Sequence, residues 1–270
     1  MRKLTVLAWC VVFFLTGSSQ SLQQVESKKV MLPNGWALTP VGRSFPLGDL
    51  PLNIAVSRSK KLMAVTNNGQ SVQSIQLIDP ATETVLDTKF IAKSWYGLQF
   101  SADEKKLYAS GGNDNWITAY AIENKKLVLK DSIKLGKKWP NKISPAGIDI
   151  DDARHLMYVV TKDDNSLYII DLNNKEIMQQ VKLDGEAYTC ILSRNKKELY
   201  ISCWGCNRLL VFDTEKKNIA ASIEVGDHPN EICLATKGGH LFVANANDNS
   251  VSVINISQRK VVETLISSLY

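Results

Sequence analysis

A chain of 270 residues that is 44% hydrophobic and 22% charged has the make-up of a globular protein and excludes a disordered or collagen-like one. Its net charge of +5 falls to +3 when Arg2 and Lys3 of the amino-terminal segment are set aside. Lysines sit in isolated pairs such as Lys60-Lys61, Lys105-Lys106 and Lys196-Lys197, which reads as solvated turns and excludes the continuous basic stripe of a nucleic-acid binder.

In chain order, residues 1–21 come first. Arg2 and Lys3 precede an apolar run from Leu4 to Leu15, and the small residues Gly17, Ser18, Ser19 and Ser21 follow. A positive start, a short apolar core and small residues predict a secretory signal peptide, with Ser19-Gln20-Ser21 as the cleavage signal. The apolar run is too short to hold the chain across a bilayer. The expectation is an exported protein, periplasmic or extracellular, with no stable membrane insertion after cleavage. Residues 22–46 form an N-terminal segment in which Gly35–Thr39 or Arg43–Leu47 is expected to supply a ring-closing outer strand.

From residue 47 to 270 one pattern is repeated five times at about 42 residues, and each copy holds four short half-apolar runs separated by Asn, Asp, Gly and Lys clusters. The fourth copy reads Tyr188–Ser193, Glu198–Trp204, Arg208–Thr214 and Ile219–Val225. Four strands and three tight turns per period predict an all-β protein, a β-propeller of four-stranded antiparallel blades near residues 52–91, 96–135, 147–183, 188–225 and 231–266. Paired large residues at the second strand (Leu62-Met63, Leu107-Tyr108, Met157-Tyr158, Leu199-Tyr200, Leu241-Phe242) read as packing between blades. The Asn and Asp clusters at residues 113–115, 163–165 and 247–249 suit hairpins that need left-handed backbone.

The words around Leu156–Leu172 and Leu241–Asn255, with VTNNGQSVQSIQLID at 65–79 and GDHPNEICL at 226–234, resemble the YVTN family of propeller repeats. More narrowly they are similar to the propeller part of exported YncE-like proteins, and the resemblance covers residues 47–266. It implies a ring that usually has seven blades, so five repeats lead us to expect a truncated ring with exposed edge strands. It also implies a fused or associated phosphoesterase of the alkaline-phosphatase superfamily. That family's metal ligands and nucleophile belong to the other domain, and none is carried over onto this chain.

Loops from strand two to three, and from one blade to the next, share a face in an up-and-down blade. That face gathers Trp95, Tyr96, Asn113, Trp116, Tyr188, Trp204, His228 and Asn230. Aromatic and amide groups on rigidly held loops suit an unknown ligand such as a peptide or glycan, or a partner surface. These residues are the candidate ligand-binding set, while each also has a local reading as a blade cap or turn former. Cys203-Trp204-Gly205-Cys206 is a CxxC in an exported chain, open to a local disulfide between Cys203 and Cys206, a redox pair or half of a metal site. No second CxxC and no paired histidines complete a metal site, so no metal, no cofactor and no catalytic residue is expected. The sequence therefore favours a noncatalytic binding scaffold. The alternative is a lactonase-like propeller hydrolase at the channel mouth, for which Asp149, Asp151 and Glu231 are the carboxylates that approach the axis.

Overall fold

The computed structural model describes residues 29–31, 33–38, 44–138 and 140–267. Residues 1–21, expected to be a signal peptide, lie outside the described residues. The chain divides into Met1–Pro46 and Leu47–Tyr270. In the first unit β1 (Val30–Met31) pairs antiparallel with β2 (Ala37–Leu38). Of the two stretches expected to close the ring, Ala37–Leu38 is thus committed to a sheet of its own, and 39–43 lie outside the described residues.

The second unit holds, among the described residues, five four-stranded antiparallel sheets arranged as propeller blades. Blade one is β3 (Pro51–Val56), β4 (Met63–Asn67), β5 (Ser74–Asp79) and β6 (Thr84–Phe90). Blade two is β7 (Leu98–Phe100), β8 (Lys106–Ser110), β9 (Trp116–Glu123) and β10 (Lys126–Lys134). Blade three is β11 (Pro145–Asp151), β12 (Leu156–Thr161), β13 (Ser166–Asp171) and β14 (Glu176–Lys182). Blade four is β15 (Ala187–Leu192), β16 (Glu198–Cys203), β17 (Arg208–Asp213) and β18 (Asn218–Glu224). Blade five is β19 (Pro229–Leu234), β20 (His240–Asn245), β21 (Ser250–Asn255) and β22 (Lys260–Ile266). Each sheet runs inner strand to outer strand in chain order, because tight turns allow only neighbouring strands to pair. At the turn from second to third strand, Asn115, Asn165, Asn207 and Asn249 all have positive φ (56°, 49°, 56° and 50°), the left-handed backbone expected of those positions.

Both faces of a blade are apolar because each is pressed against a neighbour. Ala64 and Leu77 of blade one meet Leu98, Phe100 and Leu107 of blade two. Tyr108 and Ile117 meet Ile148, Ile150 and Met157. Tyr158 and Leu167 meet Cys190, Leu192 and Leu199, and Tyr200 and Leu209 meet Ile232 and Leu241. The innermost strand supplies one residue pair to the preceding blade in every case: Leu98 and Phe100, Ile148 and Ile150, Cys190 and Leu192, Ile232 and Leu234. By register the same pair in blade one is Ile54 and Val56, opposite Val65 and Met63. These two are 52% and 54% exposed, whereas Ile148 and Ile150 are 6% and 3% exposed. The flank of β3 is therefore uncovered, and among the described residues no buried cluster joins blade five to blade one.

The inner strands share a second device. Register shifts open a bulge at Pro51/Asn53, Pro145/Ile148, Ala187/Cys190 and Pro229/Ile232. A bulged N–H loses its ladder partner and must find another. Two of these strands use a hydroxyl from strand two, with Asn53 N–H donating to Thr66 Oγ1 at 3.2 Å and Thr189 N–H to Ser202 Oγ at 3.1 Å, and Gly97 N–H, just before β7, donates likewise to Ser110 Oγ at 2.9 Å. Gly147 lies inside the bulge of blade three, where a Cβ would overlap the Thr189 backbone, so glycine lets blades three and four close up. Each bulge falls at the first residues of its inner strand.

Candidate ligand site at the channel mouth

One repeat position supplies the site. It lies two residues before Ile54, Leu98, Ile148, Cys190 and Ile232, and holds Leu52, Tyr96, Ala146, Tyr188 and Asn230 in successive blades. Blade three contributes only a methyl group, from buried Ala146. The tyrosines on either side of that small residue meet above it, with ring centroids 4.6 Å apart. Tyr188 then stacks on Trp204 at 5.4 Å and 23°, and Trp204 meets His228 edge-on at 4.7 Å. Four rings from blades two and four and from the turn into blade five thus form one continuous row. Ring pairs at such distances attract by quadrupole and area beyond simple burial.

The ends of the row are fixed. His228 has φ 54° and its N–H donates to Asn207 Oδ1 at 3.2 Å. Its ring Nδ1 lies 2.7 Å from Asp227 Oδ1, and Asn247 Nδ2 donates to Asp227 Oδ2 at 2.7 Å. The Asn247 amide, then the imidazole, hold the Asp227 carboxyl below its ordinary value, so it stays ionised beside the histidine. Burial pushes the Tyr188 phenol up, which keeps it a hydroxyl donor throughout the physiological range. Cys203 and Cys206 form a disulfide across Trp204, with Cα atoms 5.4 Å apart, while Cys190 and Cys233 are free.

Of the residues singled out in the sequence, Tyr96, Tyr188, Trp204 and His228 come together. Asn230 shares the repeat position, but its Oδ1 accepts the Glu231 N–H at 2.6 Å and its carbonyl accepts the Ser202 hydroxyl at 2.6 Å. Trp95, Asn113 and Trp116 make their contacts elsewhere. Lys162 Nζ lies 5.5 Å from the Trp95 ring and Lys138 Nζ 4.3 Å from the Trp116 ring, so each indole has a cation on its face. Asn113 Oδ1 accepts the Ser144 hydroxyl at 3.2 Å. Each of these contacts reaches a neighbouring loop and not the row.

Below the row the inner strands of all five blades line a cavity of about 550 Å3. Tyr96 belongs to both the row and this lining, together with Asn53, Gln99, Asp149, Thr189 and Glu231. Asp149 is 7% exposed, and its oxygens accept Ile150 N–H at 2.7 Å, Gln99 Nε2 at 3.1 Å and Leu192 N–H at 2.6 Å. Burial still raises its carboxyl above the ordinary value, outweighing those bonds. It ties blades two, three and four together. Asp151 is paired with Arg154 Nε at 2.9 Å. Glu231 is also raised by burial. Among the described residues no group of three His, Cys, Asp or Glu side chains is placed to hold a metal ion.

Two participants were not singled out beforehand. Gln99 occupies the same inner-strand position as Asp149, and this shared register could have revealed its place in the channel. Lys196 reads as a solvated turn lysine, yet its side chain reaches back so that Nζ donates to the Ile150 carbonyl at 3.5 Å and lines the cavity. A long flexible stem has no sequence signal for that direction.

Comparison with known proteins gives three findings. A family model described as YNCE-like beta-propeller matches residues 11–268. Antigen Lp49 of Leptospira interrogans serogroup Icterohaemorrhagiae serovar copenhageni is 24% identical over 138 residues, which is 50% of this chain and 30% of that protein. The chain thus matches under a third of that relative's length. A functionally unknown protein from Desulfotomaculum acetoxidans DSM 771 superposes with a TM-score of 0.66 and 16% identity, covering 80% of this chain and 71% of that one. At that identity the likeness concerns the fold.

Proposed function

The chain belongs to the YNCE-like β-propeller family, and from that premise we propose that it is a noncatalytic, exported binding module whose ligand seats on the Tyr96–Tyr188–Trp204–His228 row. The observation that carries the proposal is the convergence of four rings, from blades two and four and the turn into blade five, at the mouth of a polar cavity. Rigid aromatic groups give a large contact area at little entropic cost, which is why such residues dominate binding hot spots. The occupant is a glycan or peptide, or the surface of a fused or associated phosphoesterase domain. Export follows from the charged start and apolar run of residues 1–21.

The hydrolase alternative lacks chemical support. A general base needs a carboxylate free to take a proton from substrate or water. Asp149 spends its oxygens on N–H donors and Asp151 is held by Arg154, which leaves Glu231 without a second carboxylate to work with.

The test is a screen of the purified chain against glycan and peptide arrays and a phosphoesterase domain of the alkaline-phosphatase superfamily. Trp204→Ala is expected to weaken a hit by about 1–3 kcal/mol. Lys216→Ala, at an exposed turn of the opposite face where the lysine pairs with Asp213, is expected to change nothing. Equal losses would move the site away from the row. Turnover of phosphate esters or lactones that vanishes in Glu231→Gln would replace the binding module with the hydrolase.

A further inference from the structure

The turn that presents Trp204 is fastened differently from its counterpart in blade two. Both turns are single 3-10 turns between the second and third strands, Gly112–Asp114 and Trp204–Cys206, and both end on an asparagine with φ 56°. In blade two that asparagine is the anchor. Asn115 is fully buried, its Nδ2 donates to the Lys137 and Asn141 carbonyls at 2.7 and 2.8 Å, and its Oδ1 accepts the Ile143 and Ser144 N–H groups at 3.2 and 2.9 Å. The corresponding Asn207 is exposed, and its Oδ1 is given to the His228 N–H. Among the described residues the Asn207 side chain meets only the His228 N–H and the Asp227 carboxylate, so it does not tie its turn across to the next loop by four bonds as Asn115 does. The Cys203–Cys206 bridge stands in that place.

The bridge is anchored unequally at its two ends, for Cys203 lies inside the core and Cys206 packs against its edge. Cys203 is fully buried, pairs with Ala187 in the sheet and belongs to the core between blades three and four. Cys206 lies in the turn and is only partly buried. Between them the Gly205 N–H donates to the Glu186 carbonyl at 3.0 Å, and a Cβ on Gly205 would come within 2.9 Å of the Glu186 nitrogen. The turn is therefore drawn tightly against the strand that carries Tyr188, which sets the 5.4 Å stack between Tyr188 and Trp204.

We infer that the Cys203–Cys206 disulfide is the positioning clamp of Trp204, and that its reduction by a dithiol disengages Trp204 from the aromatic row without unfolding the propeller. This rests on the reading of the row as the ligand site. In the exchange, a thiolate of the reductant attacks Cys206 Sγ, the more accessible sulfur. The S–S bond breaks, and Cys203 leaves as a thiolate that takes up a proton. The second thiolate of the reductant then attacks its own sulfur in the mixed disulfide, which releases Cys206 as a thiol and the reductant as a cyclic disulfide. Two electrons pass from the dithiol to the bridge. Trp204 is a positioned binding residue here, and the two cysteines act through it.

The test needs no ligand, so it stands or falls separately from the binding reading. The full chain is treated with dithiothreitol under native conditions, and newly opened thiols are counted by alkylation against the untreated chain. Hydrogen exchange at Gly205 and near-ultraviolet ellipticity are then compared, with Trp204→Phe identifying the part of the ellipticity due to that indole. Expected are two new thiols, exchange at Gly205 faster by about ten-fold or more, loss of the Trp204 ellipticity, and an unchanged cooperative unfolding transition. Cys206→Ser should reproduce the reduced state without reagent, and it spares the buried Cys203. Two opened thiols with Gly205 exchange and Trp204 ellipticity unchanged would overturn the clamp. So would global unfolding on reduction, which would make the bridge a staple of the whole fold, and so would resistance of the bridge to the dithiol. A chain that passes this test yet binds nothing in the screen would keep the clamp and lose the ligand site.

Discussion

Asp149 shows how one side chain can be a structural tie and an electrostatic cost together. Three N–H donors favour its carboxylate, but burial raises the group above its unfolded value. The native state therefore holds its proton more tightly than the unfolded chain does. Stability from this source is fully present below the ordinary aspartate range and is lost as pH rises through the raised native value. Asn cannot titrate. The stability of the wild type minus that of Asp149→Asn should therefore fall as pH rises above the ordinary aspartate range, measured by urea unfolding at a series of pH values. A difference that is flat or rising with pH would mean that the hydrogen bonds outweigh burial. Ala146 shows the converse economy, since its small side chain is what lets Tyr96 and Tyr188 touch. Ala146→Phe is expected to part those rings, read as a loss of their near-ultraviolet signal and of binding in any hit from the screen.

At the scale of the strand, position decides what an apolar side chain contributes. Ile148 and Ile54 occupy the same inner-strand register, opposite Val159 and Val65, yet only Ile148 has a preceding blade to bury it. Ile148→Ala should cost about 2–5 kcal/mol because it opens a cavity in a packed interface. Ile54→Ala should cost less than about 1 kcal/mol, as for other surface substitutions. Equal costs in denaturant unfolding would show that the β3 flank is covered in solution. Strands of this kind were legible in the sequence because their alternation and their Asn-rich turns are local properties. Five repeats, against the seven usual in the family resembled, led to the expectation of unpaired strand edges, whereas the open feature in the structure is the face of β3 that carries Ile54 and Val56. The candidate site was half legible. Tyr96 and Tyr188 share a repeat position, but their meeting depends on Ala146 in the blade between them, and Trp95 and Trp116 were drawn off by Lys162 and Lys138 across loops. Contacts between blades leave no trace in the spacing within one blade.

Across the whole molecule, stability is a chain of neighbour terms, since each buried cluster joins one blade to the next. Blade three is packed on both sides and every residue of β11 is buried, whereas β3 has no buried residue. Hydrogen exchange should therefore be slowest in β11 to β13 and in β16 and β17, and fastest in blades one and five; even protection across all blades would contradict this. The uncovered flank of β3 has a mechanical consequence as well. A hoop whose joints are all packed resists widening equally at each, while a hoop with one loose joint yields there first. A molecule gripping Tyr96, Tyr188, Trp204 and His228 together would span blades two, four and five and brace the hoop from within. Its stiffening would then be felt in blade one, which it never touches.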